Sequence, residues 1–274
     1  MKQGVEIVTF ATHEEGTLND LVHNPYNVPV KVLGFGEKWT GFKMKFEYVY
    51  DYIQTLPEND IVVFLDGFDS EIKGNIDAAL SIFTKNNYKV LVSVEKYSNL
   101  FGIENLIFSR CNNKTYFANS GLYMGYVKYL KPILQKCIES SCKDDQYVLN
   151  NLCDDFPYIT LDTKEEIFQN LKHPSQHFGQ QTYNGAMFVS HPGSPSLKRI
   201  YRCFIEYPQF LLPYIFLIYI LICFFLFKIK KKTHKFASLL IVTLFFMVWL
   251  YNADYSCYAE INYLKPLKHL FNMN

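Results

Sequence analysis

Ile61-Val-Val-Phe-Leu-Asp-Gly-Phe-Asp-Ser70 is an apolar run that stops at two acids, Asp66 and Asp69. Ile61 to Leu65 has the length and β-branched content of a strand buried on both faces, so Asp66 falls where that strand leaves its sheet. Ligands of open α/β sheets collect at that edge. A glycine turn after the strand can bring the second carboxylate beside the first, and two hard oxygen donors then converge on one divalent cation. Mg2+ or Mn2+ suits such ligands, whereas Zn2+ prefers His and Cys. Taken alone, the two acids read equally well as caps of the following segment.

Outward from this stretch, short apolar runs alternate with longer mixed segments. The runs are Val5–Ala11, Val30–Phe35, Ile61–Leu65, Val90–Val94, Gly121–Gly125, Ile159–Leu161 and Met187–Ser190. Met44 to Leu56 and Ile76 to Phe83 have amphipathic helical spacing, and Tyr129 to Ser140 and Gln146 to Leu152 are further helix candidates. Strand alternating with helix predicts an α/β domain with a largely parallel central sheet flanked by helices. No internal repeat or low-complexity tract breaks the pattern.

With 274 residues the chain can hold one domain of about 200 residues and something smaller. Its net charge of +1 gives no global basic field, so nucleic acid is not an expected partner. The seven cysteines are scattered singly and read as ordinary thiols, with Cys137, Cys142 and Cys153 close enough in sequence for a disulfide to stay open.

The last quarter is different in kind. Phe210 to Phe227 is 18 residues without a charge, and Phe236 to Tyr251 is another 16. At 1.5 Å per residue these runs reach roughly 27 and 24 Å, a little short of a ~30 Å hydrocarbon core. Flanking lysines can snorkel and bilayers thin locally, so two transmembrane helices in a hairpin are expected, with a lipid bilayer as partner. Between the runs lies Lys228-Ile-Lys-Lys-Lys-Thr-His-Lys235, with five lysines in eight residues. The expected organisation is a domain over 1–208, two membrane helices over 209–252 around the basic loop 228–235, and a tail over 253–274. Orientation is contested. The positive-inside rule puts the lysine loop in the cytoplasm and the large domain on the far side. Val5 to Ala11 reads as a first strand rather than a signal peptide, which favours a cytoplasmic domain.

Four further clusters can join Asp66 and Asp69. Thr9-Phe-Ala-Thr12 ends the first strand, where hydroxyl and backbone groups can meet a nucleotide. Asn119-Ser120-Gly121 offers small polar residues that let a backbone approach a ligand closely. Lys143-Asp144-Asp145-Gln146 opens a helix, where the two acids serve either as caps or as site residues. His191 ends an apolar run as Asp66 does, and a neutral imidazole there can complete a metal shell.

In this order the clusters resemble the glycosyltransferase domain of the procollagen lysyl hydroxylases. The resemblance runs from about Val5 to Pro208. It rests on Gly36-Glu37-Lys38-Trp39, the Asp66-Gly-Phe-Asp69 turn, Val92-Ser-Val-Glu95, Phe117-Ala-Asn119-Ser-Gly121 with Gly125, Lys143-Asp-Asp-Gln146, Ile167-Phe-Gln-Asn-Leu171 and the His191 turn. It implies a GT-A fold, Rossmann-like, that binds a UDP-sugar with Mn2+ or Mg2+. By position it implies that Asp66, Asp69 and His191 hold the metal. Phe10, Thr12, Trp39 and Lys43 then border the uridine and phosphates, with Phe68 beside the base or ribose. Asn119, Ser120 and Gly121 line the donor, and Asp144 and Asp145 face the sugar or the acceptor hydroxyl.

The chain also departs from that pattern. Lys96-Tyr-Ser-Asn-Leu100 stands where the family has an aromatic loop with a Trp, Phe68 replaces a Tyr, and His191-Pro-Gly-Ser194 replaces His-Gly-Asn-Gly. These changes touch sugar and acceptor specificity and leave the metal residues in place. No room is left for an iron-dependent oxygenase domain, so lysine hydroxylation is not expected. The resulting expectation is a membrane-anchored, metal-dependent transferase moving glucose or galactose from a UDP-sugar to a protein or glycan hydroxyl, of the hydroxylysine type or another. The alternative is a degenerate nucleotide-sugar-binding module that no longer catalyses. A phosphotransferase or nuclease built on Asp66 and Asp69 lacks the Gly-rich phosphate loop it needs.

Overall fold

A computed structural model describes residues 4–95, 111, 116–171, 182–192, 208–228, 232–252 and 256–257. In the two C-terminal helices it describes side chains at 215–228 and 236–252. The 96–100 segment, residues 193 and 194 of the His191 turn, residues 229–231 of the basic loop and most of the tail lie outside the described residues. The chain divides into two units, Met1–Ser194 with Asn262–Asn274, and Pro195–Ile261.

The first unit is mixed α/β. Its strands β1 (Val5–Phe10), β2 (Val30–Leu33), β3 (Ile61–Asp66), β5 (Val90–Glu95), β6 (Phe117–Tyr126) and β7 (Ile159–Leu161) form one sheet in the order β2-β1-β3-β6-β5-β7. All neighbours are parallel except where β6 runs antiparallel between β3 and β5. Ile61 to Leu65 is buried throughout, as a strand with partners on both sides requires. Phe10 is level with Asp66, so the ends of β1 and β3 emerge side by side at one edge.

Strand β6 is longer than its expected Gly121–Gly125 core. Between Val92 and Ser93 of β5 the pairing on β6 jumps from Tyr123 to Asn119. Ser120, Gly121 and Leu122 are the surplus residues of a bulge, a feature that re-aims side chains beside functional sites. Leu122 keeps its place against Leu65 of β3.

A second sheet, in the order β4-β9-β8, joins Ser70–Ile72 (β4), Phe188–Ser190 (β9) and Phe168–Asn170 (β8). At three residues each, β4 and β8 are too short for alternation to declare them, and the sequence reading missed both. Ser70 pairs with Ser190 across this sheet, which carries His191 to the acidic turn.

The helices of this unit are α1 (Leu18–Val22), α2 (Met44–Ile53), α3 (Ile76–Lys85), α4 (Val127–Glu139) and α5 (Asp145–Leu152). Asn75 caps α3 by accepting from the Asp77 N–H at 2.8 Å. Helices α2 and α4 pack together. Ile7, Val63, Leu65, Phe83, Leu122 and Phe188 belong to one buried apolar cluster that joins the two sheets. The cysteines are not all free thiols as expected. Cys111 and Cys153 form a disulfide, and Cys137 is a free, buried thiol whose pKa burial and then Asp145 push upward.

The second unit contains α6 (Pro208–Phe227) and α7 (Lys232–Asn252). They pack as a pair, with the Tyr219 hydroxyl 3.0 Å from Thr243 Oγ1 and the Tyr219 ring stacked on Phe246 at 4.9 Å. The expected pair of membrane spans is met only as a pair of helices. Among the described residues no helix is long and apolar enough to cross a membrane.

Candidate functional site

The site collects at the edge where β1 and β3 end. Gly67 makes the turn after Asp66 possible, because a Cβ there would stand 2.6 Å from the Phe10 carbonyl oxygen. Phe68 and Asp69 follow, and the Phe68 carbonyl accepts from the Thr17 N–H at 3.1 Å. Gly121 faces Asp66 from the β6 bulge, where a Cβ would meet Asn119 Oδ1 at 3.0 Å and Asp66 Oδ2 at 3.5 Å.

Asp69 and Asp66 are close enough to resist sharing charge. Burial and then the Asp66 charge push the Asp69 carboxyl up to about 7, against the opposing pull of the Ser190 hydroxyl, Lys45 and the Ser70 hydroxyl. Asp69 Oδ1 accepts from Ser190 Oγ at 2.8 Å and from Ser70 Oγ at 3.4 Å.

Two residues into α2, Lys45 enters the site with its side chain only 8% exposed. Its ammonium lies 2.9 Å from Asp66 Oδ2 and 2.6 Å from Asp145 Oδ2. Burial alone lowers a lysine pKa; here Asp145 and then Asp66 outweigh it and raise that of Lys45 far above the ordinary value. Asp145 also accepts from Ser120 Oγ at 2.8 Å, which explains what the bulge presents. Asp66, Asp69 and Asp145 against Lys45 leave two negative charges when all ionise, the deficit that one divalent cation closes.

The adjacent acids of α5 separate in role. Asp144 is the N-cap, accepting from the Tyr147 N–H at 2.6 Å, and Asp145 turns to Lys45. Lys43 likewise points elsewhere than expected: its ammonium donates to the carbonyls of Ile138 and Ser140 at 3.0 and 2.9 Å, at the C-terminal end of α4 where a cation is favoured. The cation beside the acids is Lys45, which sequence reasoning passed over. Its signal was present, since Lys45 stands four residues before Val49 on the buried stripe of α2.

Of the expected metal triad, the two aspartates come together and His191 does not join them as a ligand cluster. Among the described residues no three His, Cys, Asp or Glu side chains form a group able to hold a metal. The His191 N–H donates to the Asp69 carbonyl at 2.8 Å, but its ring turns Nε2 to Glu71 Oε1 at 3.4 Å. The other ring nitrogen, Nδ1, is buried without a partner. Asp66 and Asp69, a mutually repelling pair of hard oxygen donors, suit a divalent cation, while the third donor expected of His191 is turned to Glu71.

Around the acids, Trp39 is 41% exposed, with Phe42 edge-on at 5.2 Å and Phe10 at 6.0 Å. Phe10 itself is buried and supports Trp39 rather than presenting a face. Thr12 Oγ1 sits 2.9 Å from His13 Nδ1, and the His13 ring stands 5.2 Å from Phe68. Asn119 is buried, donating to Glu95 Oε2 at 3.1 Å and accepting from the Gly121 N–H at 2.8 Å. Gln146 donates to the same Glu95 oxygen at 3.1 Å. Glu95 and Gln146 thus anchor the bulge from β5 and α5, roles the sequence reading did not give them.

The PLOD GT domain family model matches residues 1–191. Procollagen-lysine,2-oxoglutarate 5-dioxygenase of Drosophila melanogaster is 28% identical over 165 residues, covering 53% of this chain and 22% of that protein. Human procollagen-lysine,2-oxoglutarate 5-dioxygenase 2 is 26% identical over 189 residues, 60% of this chain and 25% of that one. The human multifunctional procollagen lysine hydroxylase and glycosyltransferase LH3 is 25% identical over 194 residues, 66% and 25% respectively. The chain spans about a quarter of the length of the curated relatives it matches. A solved structure of A197 from STIV aligns at a TM-score of 0.35 and 12% identity, over 47% of this chain and 68% of that one, and carries no weight here. With the match covering the sheet, the acidic turn and both flanking clusters, the chain belongs to the PLOD GT domain family.

Proposed function

We propose that the chain is a metal-dependent glycosyltransferase that moves glucose or galactose from a UDP-sugar to a hydroxyl acceptor, with hydroxylysine-type protein hydroxyls the first class to try. The observation that carries this reading is the gathering of Asp66, Asp69 and Asp145 around Lys45 at the edge where β1 and β3 end. A divalent cation, Mn2+ or Mg2+, would be held by Asp66 and Asp69, with His191 as a third donor once its ring leaves Glu71, and would supply a Lewis acid for the negative charge that develops on the UDP phosphates. Trp39 and Phe68 offer aromatic faces for the uracil base. Asn119 and Gly121 hold the backbone of the bulge close to the donor. Asp145, held between Lys45 and Ser120, faces the positive charge that develops at the anomeric carbon. Asp144, as a helix cap, fixes where Asp145 stands.

The second unit serves in this proposal as a membrane anchor. Supporting it are the uncharged 210–227 run and the outward apolar side chains of both helices, Phe225 and Phe245 among the most exposed. The Cys111–Cys153 disulfide supports an oxidising compartment for the catalytic unit, the reverse of the cytoplasmic expectation and in accord with a cytoplasmic lysine loop.

The test is release of UDP from UDP-glucose and UDP-galactose by the full chain in detergent, with and without Mn2+. The reading requires release that depends on the metal. Thermal stabilisation by UDP with Mn2+ but no release from either donor identifies a binding module instead.

A further inference from the structure

We infer that Lys45 is a built-in counter-cation that holds Asp66 and Asp145 together when the divalent cation is absent and competes with that cation for Asp66. The inference rests on the metal-dependent reading above and assigns a positioning residue to that site. The position of Lys45 is not explained by its own helix. A positive charge in the first turn stands at the wrong end of the helix dipole, and burying an ammonium is expensive unless it is paired. Both penalties are met by the two carboxylates, at 2.9 and 2.6 Å.

The two contacts are unequal. Asp145 is 7% exposed, takes the shorter contact and is further fixed by Ser120. Asp66 is 23% exposed, takes the longer contact and lies level with the open end of β1. Asp66 is therefore the partner Lys45 can yield, and Asp145 the one it keeps. A cation approaching Asp66 and Asp69 meets an ammonium already placed on one of its two carboxylates. The empty site is thereby kept from being three uncompensated acids, and metal affinity is lowered by the same contact. When Asp66 is taken up by the cation, Lys45 remains to orient Asp145.

The experiment is a Mn2+ titration of the full chain in detergent, read by loss of the free-ion electron paramagnetic resonance signal, together with thermal melts with and without Mn2+. Lys45→Met should bind Mn2+ about tenfold more tightly than wild type, the equivalent of one charge-assisted hydrogen bond no longer in competition. It should melt lower than wild type without metal and gain more on adding it. Lys45→Arg should return the affinity toward that of wild type. If Lys45→Met does not fold without metal, Lys45→Met with Asp145→Asn removes an ammonium and a carboxylate together. That double variant should still bind Mn2+ more tightly than Asp145→Asn alone. Equal or weaker binding in the lysine variants, with wild type binding normally, overturns this inference alone. A wild-type chain that takes up no Mn2+ overturns the functional reading beneath it.

Discussion

Asp144 and Asp145 stand next to each other in the chain, and the cap geometry of α5 sends them to different neighbours. An N-cap carboxylate accepts from the backbone two or three residues on, while the next residue projects from the first turn; here that turn faces Lys45. Asp144→Ala should therefore lower stability by about 1 kcal/mol, as loss of a cap does, while UDP release per folded molecule stays within a few-fold. Asp145→Asn should do the opposite, lowering turnover by roughly 100-fold with donor affinity little changed. Chemical denaturation and steady-state kinetics on the two variants separate these outcomes, and equal kinetic losses would contradict the division. Asp69 adds a dependence on pH. Its carboxyl ionises near 7 in the folded chain and near the ordinary aspartate value when unfolded, so the folded state holds the extra proton between them. In metal-free protein, stability from this group is present at low pH and is lost as pH rises through about 7. Asp69→Asn should consequently narrow the difference in melting temperature between pH 5 and pH 8. An unchanged difference would mean that burial and Asp66 do not raise the Asp69 carboxyl.

Elements decided which parts of the site were readable in advance. The acid pair was legible because an unbroken apolar strand has to end somewhere, and Asp66 is its first polar residue. The six-residue strands β1, β3 and β5 and the amphipathic helices declared themselves by the same periodicities, to within a few residues at each end. What periodicity cannot carry is pairing between distant segments. The β6 bulge exists only relative to β5, and β4, β8 and β9 exist as a sheet only because Ser70, Asn170 and Ser190 meet across 120 positions of chain. Lys45 was hidden for a related reason, since a lone lysine on a buried stripe acquires meaning only when acids from β3 and α5 arrive around it. The bulge gives a prediction at its own scale. Gly121→Ala adds a methyl 3.0 Å from Asn119 Oδ1 and 3.5 Å from Asp66 Oδ2, so β6 must shift locally while its pairing along Met124 to Tyr126 is left alone. Donor and metal affinity should fall several-fold with a loss of stability of only about 1 kcal/mol, within the usual range for single substitutions. Unaltered affinity would place the donor away from the bulge.

At the scale of the whole molecule, the charge pattern and the disulfide bear on the proposed membrane anchor and on the face at which the first unit would then lie. If the helical pair is the anchor proposed above, five lysines between 228 and 235 favour the cytoplasmic face, and a pair joined there would return both flanking segments to the opposite face. The Cys111–Cys153 bond agrees, because such a crosslink persists where glutathione and thioredoxin do not keep thiols reduced. The argument for a cytoplasmic domain came from the look of the N-terminal strand alone. The disulfide argues the other way, and the two expectations separate by experiment. In intact vesicles carrying the expressed chain, a tag at the N-terminus should be protected from added protease until detergent is supplied. A tag inserted in the 228–235 segment should be cut without detergent. The same vesicles give a second readout, since an alkylating reagent that modifies only free thiols should leave Cys111 and Cys153 unlabelled until a reductant is added. Cleavage of the N-terminal tag in sealed vesicles, with Cys111 alkylated at once, places the unit in a reducing compartment and removes the disulfide from the account of its stability.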